Sequence, residues 1–413
     1  MEKFLSKKAI EFKRNISPVR EIMQYADSEY IKKLGLKSSD IISFAGGWVN
    51  HKAPKGLQES YKEIIQDENL FHASGGYAPT LGSFDCKKAI VEYEKHLYNM
   101  KDLEPNQIAI GASSTQLTFD LLKILLNPKD KIVLLDPSYC NYPTQLFMAL
   151  DIELLRFPVL DVDSWKYIAD SKVKEFYNFI LEKKPKVILL VSPDNPTSQV
   201  LSDKFVSSVV EAAEAVGAFV VMDFAYKEIL FDNEPPKYFS HGPSDNFISI
   251  YSNSKWGRSL GRRLGWVQAP KFVIDAMESF LNSSILCPDM LHQMALTNYI
   301  HKSIKENSLK PYIKETSQKY KEAARYTINA IKEHLDLPCL EPQGGLYTCL
   351  KLNTDGAHFV RDLLSKTGVL FVPGWGFGRT MSNAARISYG PLVNDFSKID
   401  LGMKKVGEYL KKI

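Results

Sequence analysis

No run in the 413-residue sequence reaches the ~18 apolar residues that a membrane span needs. Met1 to Asn15 mixes Lys, Glu and Phe without the apolar stretch of a secretory leader, so the expected location is the cytoplasm. Cysteine is scarce. Cys86, Cys140, Cys287, Cys339 and Cys349 are odd in number, lack CxxC spacing and have no histidines at zinc-ligand intervals, so they read as reduced, mostly buried thiols and suggest no metal. An excess of one charge is missing as well: 52 basic against 48 acidic residues leave +4, with the lysines scattered. That spread suggests a solvated surface and no nucleic-acid partner. No GxGxxG follows an early strand, which argues against a dinucleotide-binding dehydrogenase, and no repeat or low-complexity tract is present.

What is present suits a soluble globular chain, with 45% apolar and 24% charged residues. Short apolar runs at Gln107 to Gly111, Lys131 to Leu135, Lys186 to Val191, Ala218 to Met222 and Phe247 to Tyr251 read as buried parallel strands. Helical periods lie between them, at Leu117 to Leu126 before Asn127-Pro128 and at Asp203 to Val216 before Gly217. Alternating strands and helices predict an α/β fold, a mostly parallel sheet covered on both faces, with ligands at the carboxyl ends of the strands. After Pro270 the pattern changes to longer helices, Phe272 to Asn282 and Met290 to Glu333. An α+β region follows, with strands at Gly345 to Leu352, Val369 to Val372 and Ala385 to Ser388 and a last helix at Lys398 to Lys412. The expected division is an N-terminal segment 1–54 joining a small domain, a large domain 55–285, a connecting helix 286–309 and the small C-terminal domain 310–413.

The polar clusters follow the strands. Gly111-Ala-Ser-Ser-Thr-Gln116, Asp136-Pro-Ser-Tyr139, Ser192-Pro-Asp-Asn195-Pro-Thr, Asp223-Phe-Ala-Tyr226 and Ser252-Asn-Ser-Lys255 each succeed one predicted strand. Ser113-Ser114-Thr115, between a strand and a helix start, offers hydroxyls and free N–H groups to an anion, or simply caps the helix. Asp223 can hold a ring nitrogen protonated or cap the next turn. Tyr226 and Asn195 can hydrogen-bond a phenolic oxygen, or be core packing and a turn starter. Lys255 has Ser252 three residues before it and Arg263 eight after it. A lysine near a cation and out of bulk water loses part of its basicity, and the neutral amine attacks aldehydes. Arg263 and Ser252 would donate to a phosphate. These are the tasks of a site for pyridoxal 5'-phosphate (PLP), with Lys255 as the residue that holds it.

In this order and spacing the residues resemble the fold type I PLP enzymes of the class I/II aminotransferase family. The likeness runs from Ser17-Pro-Val-Arg-Glu21 through Ile42-Ser-Phe-Ala-Gly-Gly47 and Tyr77-Ala-Pro-Thr-Leu-Gly82 to Asn383-Ala-Ala-Arg-Ile-Ser388. It implies a large domain with a mostly parallel seven-stranded sheet and a smaller α+β domain. By that resemblance Tyr139 stacks on the cofactor ring, Ser114 and Thr115 hold the phosphate, and Tyr77 reaches the phosphate of a partner subunit in a homodimer. Arg386 pairs with the substrate carboxylate, helped by backbone near Gly46 and Gly47. Catalysis then falls to Lys255, Asp223 and Tyr226, in ping-pong transfer of an α-amino group to a 2-oxo acid.

Within the family, the Ser17/Arg20 segment followed by Phe-Ala-Gly-Gly is most similar to the 2-aminoadipate and kynurenine aminotransferase branch, where the Arg20 position helps read the substrate side chain. Two departures stand out. Trp48-Val-Asn-His-Lys-Ala-Pro54 replaces the usual small-residue-Pro pattern, with Trp48 either a pocket wall or a packed aromatic, and Asn195-Pro-Thr-Ser198 replaces Asn-Pro-Thr-Gly. Arg20, Arg258 and Arg262 can each favour an acidic substrate, or serve as surface or phosphate-side charges. The alternative within the fold is another α-carbon outcome (decarboxylase, β-lyase or oxidase), because one electron sink serves them all.

Overall fold

Apolar residues alternate between two cores along each central strand, which is why the strands read as unbroken apolar runs. Val133, Leu135, Ile188 and Leu190 face one side with the helices Lys55–Gln66, Phe84–Tyr98 and Met290–Lys305. Ile132, Leu134, Val187 and Leu189 face the other, with Ser114–Leu125 and Lys271–Ser284. The computed structural model describes residues 4–14, 21, 24–25, 27–143, 146, 151–232 and 234–412.

The central sheet holds seven strands: β1 (Ile108–Gly111), β2 (Lys131–Asp136), β3 (Glu153–Pro158), β4 (Val187–Val191), β5 (Phe219–Asp223), β6 (Phe247–Ser252) and β7 (Gly265–Gln268). Their spatial order is β1-β7-β6-β5-β4-β2-β3. All neighbours pair in parallel except at β7, which runs antiparallel to both β1 and β6. Two strands escape the sequence reading. β3 is an edge strand whose residues are partly exposed and end in proline, and β7 is four residues long, too short to show a period.

The C-terminal part builds a second sheet from β8 (Tyr347–Lys351), β9 (Val372–Pro373) and β10 (Ala384–Ser388), in the order β8-β10-β9. The helices Leu309–His334, Gly356–Thr367 and Phe396–Leu410 pack on it in a third core. The expected strand Val369 to Val372 is divided. Val369 and Leu370 pair with Ile42 and Ser43, whereas Val372 and Pro373 pair with Arg386 and Ala385. The first of these pairings ties the N-terminal segment to this core. The expected helix Met290 to Glu333 is two helices, because Asn307 takes φ 54° between Lys305 and Leu309 and turns the chain. Pro311 sits in the first turn of the second, where its missing N–H costs nothing. Among the described residues no helix is long and apolar enough to cross a membrane. Cys86, Cys140 and Cys349 are buried, and Cys287 and Cys339 are half-buried.

Candidate active site

The carboxyl ends of β1, β2, β4, β5 and β6 open into one cleft. Ser114, Thr115, Tyr139, Asn195 and Asp223 line it, together with Tyr226, Ser252, Lys255 and Arg263. Strand-end placement follows from the parallel sheet, which sends every strand-to-helix turn to the same edge.

At the anion end, Ser113 caps the helix by accepting from the Gln116 N–H at 3.2 Å, so the capping role falls one residue before Ser114 and Thr115. Those two occupy the first turn, where backbone N–H groups have no partner within the helix. β7 passes close beneath this turn. A Cβ on Gly265 would stand 2.8 Å from the Ser114 nitrogen, so only glycine allows the approach. On the opposite side Ser252 donates to Ser254 at 2.8 Å. Arg263, exposed and at φ 55°, donates to the Leu260 carbonyl at 2.6 Å and keeps its other guanidinium donors for a ligand.

Asp223 is buried at the floor. It accepts from the Tyr142 hydroxyl at 2.7 Å and from the Ala225 N–H at 2.9 Å. Burial raises its carboxyl pKa against the pull of these two donors and of Lys255. Tyr142 was not among the residues singled out from sequence; it lies three beyond Tyr139, one turn along the same segment. The two rings meet edge to face, with centroids 5.3 Å apart.

Lys255 donates its ammonium to the Gly47 carbonyl. Burial, then the cations of Arg386 and Arg263, lower its pKa to about 8 against the opposing pull of Asp223. About a tenth of this lysine is then the neutral, nucleophilic amine at pH 7, far more than at the ordinary lysine pKa of 10.5. Tyr226 meets a second tyrosine missed from sequence: its hydroxyl lies 2.6 Å from that of Tyr347.

Arg386, on β10, is 1% exposed. It donates to Asn195 Oδ1 at 3.0 Å and to the Ala45 carbonyl at 2.7 Å, and its Nε has no hydrogen-bond partner. The Ala45 carbonyl thus holds the guanidinium, and the Gly47 carbonyl accepts from Lys255. The guanidinium lies over the Tyr347 ring at 4.3 Å and the Phe377 ring at 5.1 Å. No carboxylate among the described residues forms an ion pair with it.

A sequence model described as "Aminotransferase class I and II" matches residues 39–395. The chain belongs to the class I and II aminotransferase family. An aspartate aminotransferase of Pyrococcus horikoshii is 25% identical over 389 residues, 94% of this chain and 93% of that one. An LL-diaminopimelate aminotransferase of Natranaerobius thermophilus is 26% identical over 400 residues, 93% and 96% of the two chains. The solved aspartate aminotransferase of Thermus thermophilus with maleate superposes with a TM-score of 0.83 at 18% identity, covering 98% of this chain and 99% of that one. The chain is a PLP-dependent aminotransferase of this class.

The residues present fit the cofactor. A buried carboxylate of raised pKa gains from a cationic partner such as a pyridinium nitrogen, a lysine held near pH 8 suits an aldehyde, and a helix start facing an arginine suits a phosphate.

Other sequence-singled residues of this aminotransferase lie elsewhere. Tyr77 is 87% exposed and does not line the cleft of its own chain. Arg20 lies outside the described residues. Arg258 donates to the Val49 carbonyl at 2.7 Å, and Arg262 stacks on Tyr61 at 5.0 Å. Trp48 is 43% exposed and its ring lies against Gly46, where a Cβ would come within 2.1 Å of it. It does not line the cleft at the strand ends. Asp136 is used structurally, accepting from the Arg379 N–H at 3.0 Å and the Thr380 hydroxyl at 2.6 Å.

Proposed function

We propose that this aminotransferase holds PLP on Lys255 and reads the α-carboxylate of its amino acid substrate with Arg386. The observation that carries the reading is the Arg386 guanidinium, buried beside Lys255 with an unused Nε and no anionic partner among the described residues. A buried cation is costly unless paired, and a planar fork of donors suits a carboxylate.

The further roles are these. Ser114, Thr115, Ser252 and Arg263 bind the phosphate. Asp223, backed by Tyr142, keeps the pyridine nitrogen protonated. Tyr139 covers the ring, and Asn195 and Tyr226 hydrogen-bond its phenolic oxygen. When bound, PLP supplies an electron sink that acidifies the substrate Cα–H. With the cofactor bound, Lys255 Nζ would take that proton and return it to the cofactor carbon two bonds from Cα, while Arg386 would fix the carboxylate so that the C–H bond faces the lysine. Water would then release a 2-oxo acid, with the amino group kept by the cofactor, and a second 2-oxo acid would collect that amino group by the reverse sequence.

Tyr77 belongs to the same proposal as a phosphate ligand for a second subunit of a homodimer; its exposed loop supports that reading. The domain division at residues 54, 285 and 309 is likewise our reading; the boundaries at 54 and 309 are supported by a change of core, whereas Met290–Lys305 shares the core of the large domain. Cytoplasmic location is likewise our reading, supported by the thiols of Cys86, Cys287, Cys339 and Cys349. For the substrate side chain, the Phe44-Ala-Gly-Gly47 segment supports the 2-aminoadipate/kynurenine branch, whereas curated relatives are named for aspartate, aromatic amino acids and LL-diaminopimelate.

The test is a half-reaction panel. PLP-loaded protein is mixed with aspartate, tyrosine, 2-aminoadipate, kynurenine or LL-diaminopimelate, and loss of the visible cofactor band is followed. An accepted donor bleaches the band and releases its 2-oxo acid. Lys255→Ala is expected to lose both the band and turnover, and retention of either overturns the assignment.

A further inference from the structure

Tyr347 and Ser198 have no role in the site as assigned above, yet they adjoin it. Ser198 stands at φ 56°, a left-handed conformation that costs a non-glycine residue, in a motif whose family pattern has glycine. Its hydroxyl accepts from the Tyr347 N–H at 2.9 Å. The serine therefore anchors the backbone of Tyr347 from the same turn that carries Asn195. The Tyr347 ring is wedged between the N-terminal segment and Arg386: a Cβ on Gly47 would stand 3.0 Å from its hydroxyl, and the Arg386 guanidinium lies 4.3 Å from its centroid. With backbone and ring both fixed, the hydroxyl is delivered to that of Tyr226 at 2.6 Å.

Two phenols at this separation share one proton, and either can be the donor. We propose that Tyr347 is a positioning residue: its hydroxyl donates to Tyr226, turning the Tyr226 proton toward the phenolic oxygen of PLP and strengthening that donation. The inference rests on the assignment of PLP to Lys255. Donors in a chain polarise one another, so Tyr226 becomes a stronger donor when it also accepts. The Arg386 cation over the Tyr347 ring acts in the same sense by making the Tyr347 hydroxyl more acidic. Burial raises both phenols, so neither gives up its proton near neutral pH. The charged and titratable groups facing the pair are Arg386, Tyr139, Cys140 and Asp194, with the Lys255 nitrogen 5.3 Å from the Tyr226 centroid.

A stronger Tyr226 donor stabilises the more anionic, deprotonated form of the cofactor–lysine pair and lowers the pH at which the visible band changes. The experiment titrates PLP-loaded wild type, Tyr347→Phe, Tyr226→Phe and the double variant by absorbance. Tyr347→Phe keeps the ring under Arg386 and removes only the hydroxyl. Its titration is expected to move up by roughly half to one pH unit, with no further move when the change is made in Tyr226→Phe. Ser198→Ala, which releases the Tyr347 backbone, is expected to move it in the same direction by less. An unmoved titration in Tyr347→Phe, or a shift that adds in full to that of Tyr226→Phe, overturns the inference while the assignment of Lys255 stands. Wild-type protein that forms no visible band with PLP overturns both.

Discussion

Tyr142 gives its hydroxyl proton to Asp223 at 2.7 Å, joining the segment after β2 to the end of β5 beneath the cleft. The bond offsets the cost of burying a carboxylate and, with the Ala225 N–H on the other oxygen, fixes the orientation of the group. Tyr142→Phe leaves the ring in place and removes the donor. PLP affinity is expected to fall about 10- to 100-fold, the ~1.5–3 kcal/mol of a hydrogen bond to a charged group. A fluorescence titration of apoprotein with PLP measures it, and unchanged affinity would show that Asp223 does not depend on this donor.

Lys255 carries a pH signature of its own. Its folded pKa, lowered to about 8, lies below the unfolded value of 10.5, so between these limits the unfolded chain binds more protons and stability rises with pH. Below pH 8 the full penalty of a half-buried ammonium is present. Apo Lys255→Met is therefore expected to be more stable than apo wild type at pH 7, by on the order of 1–3 kcal/mol after solvent screening. The gap should close as pH rises toward 10.5. Urea melts at both ends of this window decide it.

His51 sits in the Trp48–Pro54 segment that departs from the family pattern. Its Nε2 lies 3.0 Å from the Trp256 carbonyl, an acceptor only, so that nitrogen carries the proton and Nδ1 accepts from the Tyr320 hydroxyl at 2.8 Å. Burial lowers its pKa to about 4. Between pH 6.5 and 4 the unfolded chain takes up a proton the folded one refuses, and stability falls with acid. His51→Leu is expected to lose about 1–3 kcal/mol at pH 7, from the unpaired partners, and to show a shallower loss from pH 6.5 to 4. Parallel acid-titration slopes for the two proteins would refute the neutral assignment.

Lys227 and Glu94 form an ion pair at 2.8 Å with both side chains fully buried, and Gln268 donates to the same carboxylate at 3.3 Å. Removing one partner strands the other charge. Lys227→Met should cost about 3–5 kcal/mol, and Lys227→Met with Glu94→Gln should recover a good part of it. Chemical denaturation of the four-member cycle measures the coupling, and additive losses would count against it.

Gly265→Ala tests the approach of β7 to the phosphate end. The new methyl would meet the Ser114 nitrogen at 2.8 Å and the Tyr251 carbonyl at 2.6 Å. Backbone on both sides has to give, at about 1–3 kcal/mol, and the displaced helix start should weaken PLP binding as well. A melt and a PLP titration on one preparation report both losses.

The sequence by itself determined the buried strands and the clusters that follow them. A parallel strand covered on both faces must be apolar throughout, and its carboxyl end must carry whatever is polar. Asp223, Lys255, Asn195 and Tyr226 were legible on that ground, and Arg386 through resemblance. Tertiary structure alone decided the partners: Tyr142 for Asp223 across 81 residues, Tyr347 for Tyr226 across 121, and Ala45 for Arg386 across 341. Short β7 and half-exposed β3 also needed neighbours to define them. Periodicity is a local property of the chain, but a hydrogen-bond partner is chosen by proximity in the folded state, which no spacing along the sequence encodes.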